Sequence, residues 1–233
     1  MTKLYFHHRV KEKLGGTMPK CVQNSLSDQV YTMLKEQILS GQLKGGMKIP
    51  EELLAEQFGV SRTPIREAIR RLSEYGLVTI KPRSHAIVSV ITQKEANDIA
   101  RVRVSLEQLA IDSIDEQSYA QNVKEFSRYA ADCQYAMGIG DRATVFEQDS
   151  LFHLALIRAS NNSALINICE RLDAKIQQLR IAQDLPEDEL SYYLNQHAQM
   201  MNLLKNGDKE ACKRLLYEHI THDLTSHVLE KEA

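Results

Sequence analysis

The sequence predicts a mainly α protein: an N-terminal winged helix-turn-helix followed by an antiparallel six-helix bundle. Three observations carry this. Residues 28–75 hold three stretches of helical period separated by glycine-containing turns, and β-branched runs follow between residues 77 and 91. From Thr92 onward strand signals vanish while amphipathic helical stretches continue. The charge divides at the same place. Residues 1–91 carry 14 Lys/Arg against 8 Asp/Glu (+6) and the remainder 15 against 23 (−8), within a net charge of −2. A basic third joined to an acidic remainder is the pattern of a nucleic-acid-binding module attached to something else.

A length of 233 residues suits two domains better than one, and 43% hydrophobic with 26% charged residues is the composition of a folded chain. No apolar run approaches the ~18–20 residues of a membrane span. The first residues lack the apolar stretch of a signal peptide, so a cytoplasmic protein with no membrane partner is expected. Cys21, Cys133, Cys169 and Cys212 never fall in a C-x-x-C spacing, which argues for reduced thiols over a disulfide framework or a cysteine zinc site. The expected division is a basic flexible tail over 1–24, a winged helix-turn-helix over 25–91 and an all-helical domain over 92–233. Met18 is an alternative start.

The head is read element by element. Val30, Leu34 and Ile38 repeat at i, i+4, i+8 in a helix from about Asp28, and Gly41 stops it. A glycine-rich loop, 41–46, leads to a second helix over about 51–58, with Leu54 and Phe58 inward. Gly59 supplies a tight turn, Ser61 an N-cap, and Pro64 is tolerated in the first turn of a third helix running to about Tyr75. Ile65, Ile69 and Leu72 face inward; Arg62, Arg66 and Arg70 share another side. Two β-branched runs flank Lys81-Pro82-Arg83-Ser84-His85 as a hairpin with a basic tip. The turn aims the start of the third helix outward, where Ser61, Arg62, Thr63, Arg66 and Arg70 can meet a major groove, with Arg83 on the wing. Arginines four apart also make an ordinary solvated face. The turn, the cap, the opposed apolar stripe and the hairpin together favour double-stranded operator DNA as the partner.

In the second half, Thr92-x-x-Glu95 reads as a capping box, and helices are placed near 93–115, 118–137, 142–159, 163–184, 187–206 and 208–230. Asp149 and His153 stand four apart on an apolar face, His197 lies between Leu194 and Met201, and His219 follows Leu215 by four. Three helices can thus direct one carboxylate and three imidazoles into a single cavity. That set suits a divalent transition metal (Zn, Ni, Mn or Fe) without choosing among them. Each histidine taken singly reads more simply as a hydrogen-bonded core residue. His7, His8, His222 and His227 are read as surface residues.

Two resemblances sharpen these readings. LAEQFGVSRTPIREAIRRL (Leu54 to Leu72) followed by EYGLV (Glu74 to Val78) resembles the winged-helix signature of GntR-type regulators. This implies Arg62, Thr63 and Arg66 as the foremost DNA contacts and a wing in the minor groove. Two positions depart from it: Glu52 stands where many members carry Arg, and Ser84-His85 where the wing tip commonly reads Arg-Gly. Arg83 or Lys81 would then replace the wing arginine.

R-V-S-L-E (Arg103 to Glu107), D-S-L-F-H, A-S-N-N-S-A-L, N-Q-H and Y-E-H-I resemble the FCD-type domain of the FadR group. This implies a metal held by Asp149, His153, His197 and His219. It also implies Arg103 as a contact to a small carboxylate effector, against a simple i,i+4 pair with Glu107. Asn162 is either an effector contact or the cap of the following helix. The implied protein is a homodimeric, effector-responsive regulator and not an enzyme. Two alternatives stay open: a metalloenzyme with a DNA-binding appendage, and a DNA-binding protein whose metal is purely structural.

Overall fold

The structure, a computed structural model, describes residues 25–82, 85–183 and 185–221. Among the described residues it holds nine helices and one two-stranded sheet. The head begins with α1 (Leu26–Leu39), earlier than the apolar repeat suggests. Ser25 is the N-cap, and the Asp28 side chain returns to the Ser25 backbone to complete a capping box. Asp28 is therefore the third residue of the helix.

Helices α2 (Glu51–Gln57) and α3 (Arg62–Glu74) follow, joined by a turn in which Gly59 takes φ +63°, open to glycine at no steric cost. Ile65, Ala68, Ile69 and Leu72 of α3 are buried with Val30, Leu34 and Ile38 of α1 in one core. Strands β1 (Val78–Ile80) and β2 (Ala86–Val88) pair antiparallel with Val78 opposite Val88. The segment between the glycine-rich loop and α2, to which the sequence reading assigned no element, adds a second partner for β2: Ile49 N–H donates to Ala86 O and Val88 N–H to Met47 O, both at 2.9 Å. The base of the wing is thus bonded on both sides. Its closure carries a Lys81 N–H to His85 O bond of 2.9 Å, while Arg83 and Ser84 lie outside the described residues.

The helical half comprises α4 (Gln93–Ser113), α5 (Glu116–Gly138), α6 (Arg142–Ala159), α7 (Ser163–Gln183), α8 (Glu187–Lys205) and α9 (Lys209–Thr221). Thr92 caps α4 by accepting from Glu95 N–H at 3.2 Å. The other half of the expected box is absent, because the Glu95 carboxylate pairs instead with Lys175 at 2.8 Å. Helix α6 packs on α4, α5 and α7 and is buried over most of its surface from Val145 to Ile157, as a helix surrounded by others must be. Phe152, Ala155 and Leu156 from α6 meet Val104, Ile111, Phe126, Met200 and Leu216 in the main core. No helix among the described residues is long and apolar enough to cross a membrane.

Helix α7 joins the two halves. Ala174 is buried with the core of the head. Gln178 Nε2 donates to Ser89 O at 2.9 Å, and Lys175 Nζ to Gly76 O at 3.1 Å.

Leu72 is fully buried in the head core. Leu72→Ala should destabilise the protein by ~2–5 kcal/mol through lost burial and the cavity left behind. Urea unfolding followed by far-UV circular dichroism measures this; a loss under ~1 kcal/mol would show that α3 does not anchor the head.

Candidate metal centre and nucleic-acid interface

The structure brings Asp149 and His153 of α6, His197 of α8 and His219 of α9 together. One donor atom from each lies within 4.8 Å of all the others, and all four residues are buried. Asp149 and His153 share a face because four residues make about one helical turn. Asp149 Oδ1 lies 3.6 Å from His153 Nε2 and 3.0 Å from His197 Nε2. His153 Nε2 and His219 Nε2 stand 3.0 Å apart.

The outer nitrogens explain why the inner ones converge. His153 Nδ1 lies 2.7 Å from Glu107 Oε2 and His219 Nδ1 3.1 Å from Gln196 Oε1. Both partners are acceptors, so each Nδ1 carries a hydrogen and each Nε2 is turned inward. His197 is stacked on Phe152 with ring centroids 4.1 Å apart, is fully buried, and neither of its nitrogens makes a hydrogen bond of acceptable geometry. A buried polar atom left in this state costs about 1–3 kcal/mol. The donor set therefore fits a metal ion of the kind bound by imidazole and carboxylate.

The electrostatics keep the donors in the right form. Burial lowers the pKa of His197, and burial with His153 and His197 nearby takes His219 well below the usual imidazole value. Burial opposes ionisation of Asp149, but Arg180 and His153 outweigh it and hold its carboxyl well below the usual range. In the same way burial opposes ionisation of Glu107, and His153 with Arg103 brings its pKa down to about 2.

Arg180, which the sequence reading overlooked, ion-pairs with Asp149 Oδ2 from α7. Its signal was present: Leu172, Ile176 and Arg180 repeat at i, i+4, i+8, which puts a cation on an inward stripe. Arg103 does pair with Glu107, at 2.6 Å, but the pair is buried and not a surface feature. Glu107 thereby links Arg103 to His153. Both arginines line two small cavities beside the cluster, of about 20 and 30 Å³. Each has room for one or two water-sized groups. Asn162 is not brought to this site. Its Oδ1 accepts from Leu165 N–H at 3.1 Å, capping the start of α7, and the residue is exposed.

On the head, Ser61, Arg62, Thr63 and Arg66 are exposed at or near the start of α3, and Arg70 is exposed two turns further along it. Ser61 occupies the N-cap position with extended backbone, but its hydroxyl makes no cap bond. Each α3 arginine has an acidic partner. Arg62 lies 2.6 Å from Glu52, Arg66 2.9 Å from Glu51, Arg70 3.9 Å from Glu74, and Arg71 2.5 Å from Asp28. The sequence reading noticed Glu52 but not these pairings.

A winged helix-turn-helix joined to an all-helical domain with a buried histidine–carboxylate cluster defines a DNA-binding transcriptional regulator. The chain belongs to the GntR family of bacterial regulatory proteins, which matches residues 26–88, and its second half is an FCD domain, matched over 98–222. It is 31% identical over 206 residues to the HTH-type transcriptional regulator YdhC of Bacillus subtilis, covering 87% of this chain and 92% of that protein. The solved structure of Escherichia coli McbR is similar with a TM-score of 0.70 at 28% identity, covering 87% of this chain and 96% of that one. A GntR-type regulator from Rhodococcus sp. RHA1 shares the fold with a TM-score of 0.79 at 20% identity, covering 87% and 99%.

Arg180 and Asp149 form a buried pair with side chains 11% and 7% exposed. In metal-free protein, Arg180→Leu should destabilise the fold by ~3–5 kcal/mol, because it leaves a carboxylate buried without its main counter-charge. Urea unfolding in the presence of a chelator reads this, and a loss under ~1 kcal/mol would mean that water, not Arg180, neutralises Asp149.

Proposed function

We propose that the protein is a homodimeric regulator whose affinity for operator DNA is set by a small carboxylate bound beside a divalent transition metal in the helical half. One observation carries this reading: four buried donor atoms converge within 4.8 Å while the outer nitrogens of His153 and His219 are fixed by Glu107 and Gln196. Asp149, His153, His197 and His219 would hold the ion, with Zn, Ni, Mn and Fe all compatible with such donors. When bound, the ion supplies Lewis-acid attraction for an anionic oxygen.

The charges support an anionic effector. Asp149 and Glu107 offset Arg103 and Arg180, so a divalent ion would add two positive charges to a buried site whose His197 and His219 resist protonation. A carboxylate offsets them, and an arginine fork can receive it bidentately. Arg103 and Arg180 are the residues assigned to it. On DNA, Ser61, Arg62, Thr63, Arg66 and Arg70 would meet the major groove, with Arg83 on the wing. Two heads of a dimer would meet two half-sites.

Helix α7 offers the route between the sites. It carries Arg180 at the cluster and Lys175 and Gln178 at the head. An effector that draws Arg180 away from Asp149 shifts α7, and the bonds to Gly76 and Ser89 pass that shift to α3 and the wing. Coupling of this kind is typically worth about 1–3 kcal/mol.

A second reading, a structural metal with no effector, is favoured by the size of the cavities, about 20 and 30 Å³. Elemental analysis with a thermal-shift screen of small carboxylates separates the two. A carboxylate that shifts the melting temperature only in metal-loaded protein, and that alters DNA affinity, supports the effector reading. Loss of folding on chelation, with no carboxylate effect, supports the structural one.

His197→Ala should abolish stoichiometric metal binding and leave the head folded; full metal occupancy in the variant would remove His197 from the ligand set. Gln178→Ala should keep the carboxylate-induced thermal shift but shrink the effector's effect on DNA affinity by roughly fivefold or more, the lower end of typical coupling. An undiminished response would show that α7 does not carry the signal.

A further inference from the structure

The reading helix carries four arginines, and every one is paired with an acid. Arg70 and Arg71 are held by Glu74 and by Asp28, and Arg71 also lies over the Tyr31 ring at 4.3 Å. The two arginines at the groove-facing start of α3 are held by consecutive residues of α2. Arg66 Nε donates to Glu51 Oε2 at 2.9 Å, and Arg62 Nη2 lies 2.6 Å from Glu52 Oε1. These side chains, apart from the half-buried Glu51, are largely exposed, so the pairs add little to folding stability. Their consequence falls on DNA.

Sequence-independent affinity comes from cations that neutralise phosphates and release counterions. An arginine that leaves a carboxylate for a phosphate exchanges one anion for another and leaves the carboxylate facing the polyanion, so little is gained. A guanine edge is different. Its O6 and N7 accept a fork of two N–H groups and carry no net charge. Arg66 can offer both terminal amino groups while its Nε stays on Glu51, and Glu51 then fixes the direction of the fork. Arg62 Nη2 carries a second hydrogen, which with Nη1 or Nε can form such a fork while the first stays on Glu52.

We infer that Glu51 and Glu52 are specificity-determining residues of the DNA-reading face: they suppress phosphate binding by Arg66 and Arg62 and reserve those arginines for base edges. The inference rests on α3 being the element that reads DNA.

The test uses the full-length protein. An operator is first selected by the wild type from a randomised duplex library. Wild type, Glu51→Gln and Glu52→Gln are then titrated against that operator and a scrambled duplex over a range of salt. Each Gln variant should bind the scrambled duplex roughly fivefold to tenfold more tightly at about 0.1 M salt, with a salt slope steeper by about one, as expected for one added phosphate contact. Preference for the operator should fall by a similar factor and the melting temperature should not change. In Glu52→Gln combined with Arg62→Ala the gain should disappear; a gain that persists would trace it to general charge and overturn the pairing. Unchanged preference and slope in both single variants would overturn the inference. So would a loss confined to the operator, which would make the acids base contacts themselves. If the wild type enriches no sequence, the DNA reading beneath the inference fails, and the inference with it.

Discussion

The carboxylate of Asp149, buried on the central helix of the bundle, is the constraint that the rest of the helical half answers. A charge in that position is sustained only by partners, because burial alone would favour its neutral form. Its neighbours come from three further helices: Arg180 from α7, His197 from α8 and His219 from α9. Helix α4 joins through Glu107, which orients His153. The arrangement of helices around α6 is therefore fixed by a polar network at its centre as well as by the apolar core around Phe126, Phe152 and Leu216.

The same network reaches the head. Arg180 neutralises Asp149, and the helix that carries it buries Ala174 in the head core and holds two head carbonyls through Lys175 and Gln178. A rigid helix with obligations at both sites transmits displacement more readily than a loop would. It is also anchored at its start, where Asn162 caps it. The residue that looked like a possible effector contact thus has a plainer role in setting where α7 begins.

On the DNA side, bulk charge and local charge differ. The balance of +6 over residues 1–91 includes five Lys/Arg and one Glu in the first 24 residues, so residues 25–91 have nine Lys/Arg against seven Asp/Glu. Within that stretch the arginines of α3 are matched by acids from α1, α2 and α3 itself. A strongly basic segment thus precedes, in sequence, a nearly balanced reading surface.

By itself the sequence determined what depends on neighbours a few residues apart. Helix α6 spans Arg142–Ala159, the range indicated by its period, the glycines before it and Asn161-Asn162 after it, and Asp149 and His153 share a face of it because of their spacing alone. The inward stripes of α1 and α3 and the turn at Gly59 follow from the same local rules. The spacing of Asp149, His153, His197 and His219 on inward faces suggested one donor set, and the family signatures strengthened that reading and added the expected division of labour. Only the tertiary structure decided which distant groups meet: Arg180 with Asp149, Glu107 with His153, Glu51 and Glu52 with the α3 arginines, and the 47–49 segment with β2. Periodicity shows which face of an element is buried, whereas the partner across the interface depends on the rotation and offset of two packed elements. Those quantities leave no repeating mark along the chain.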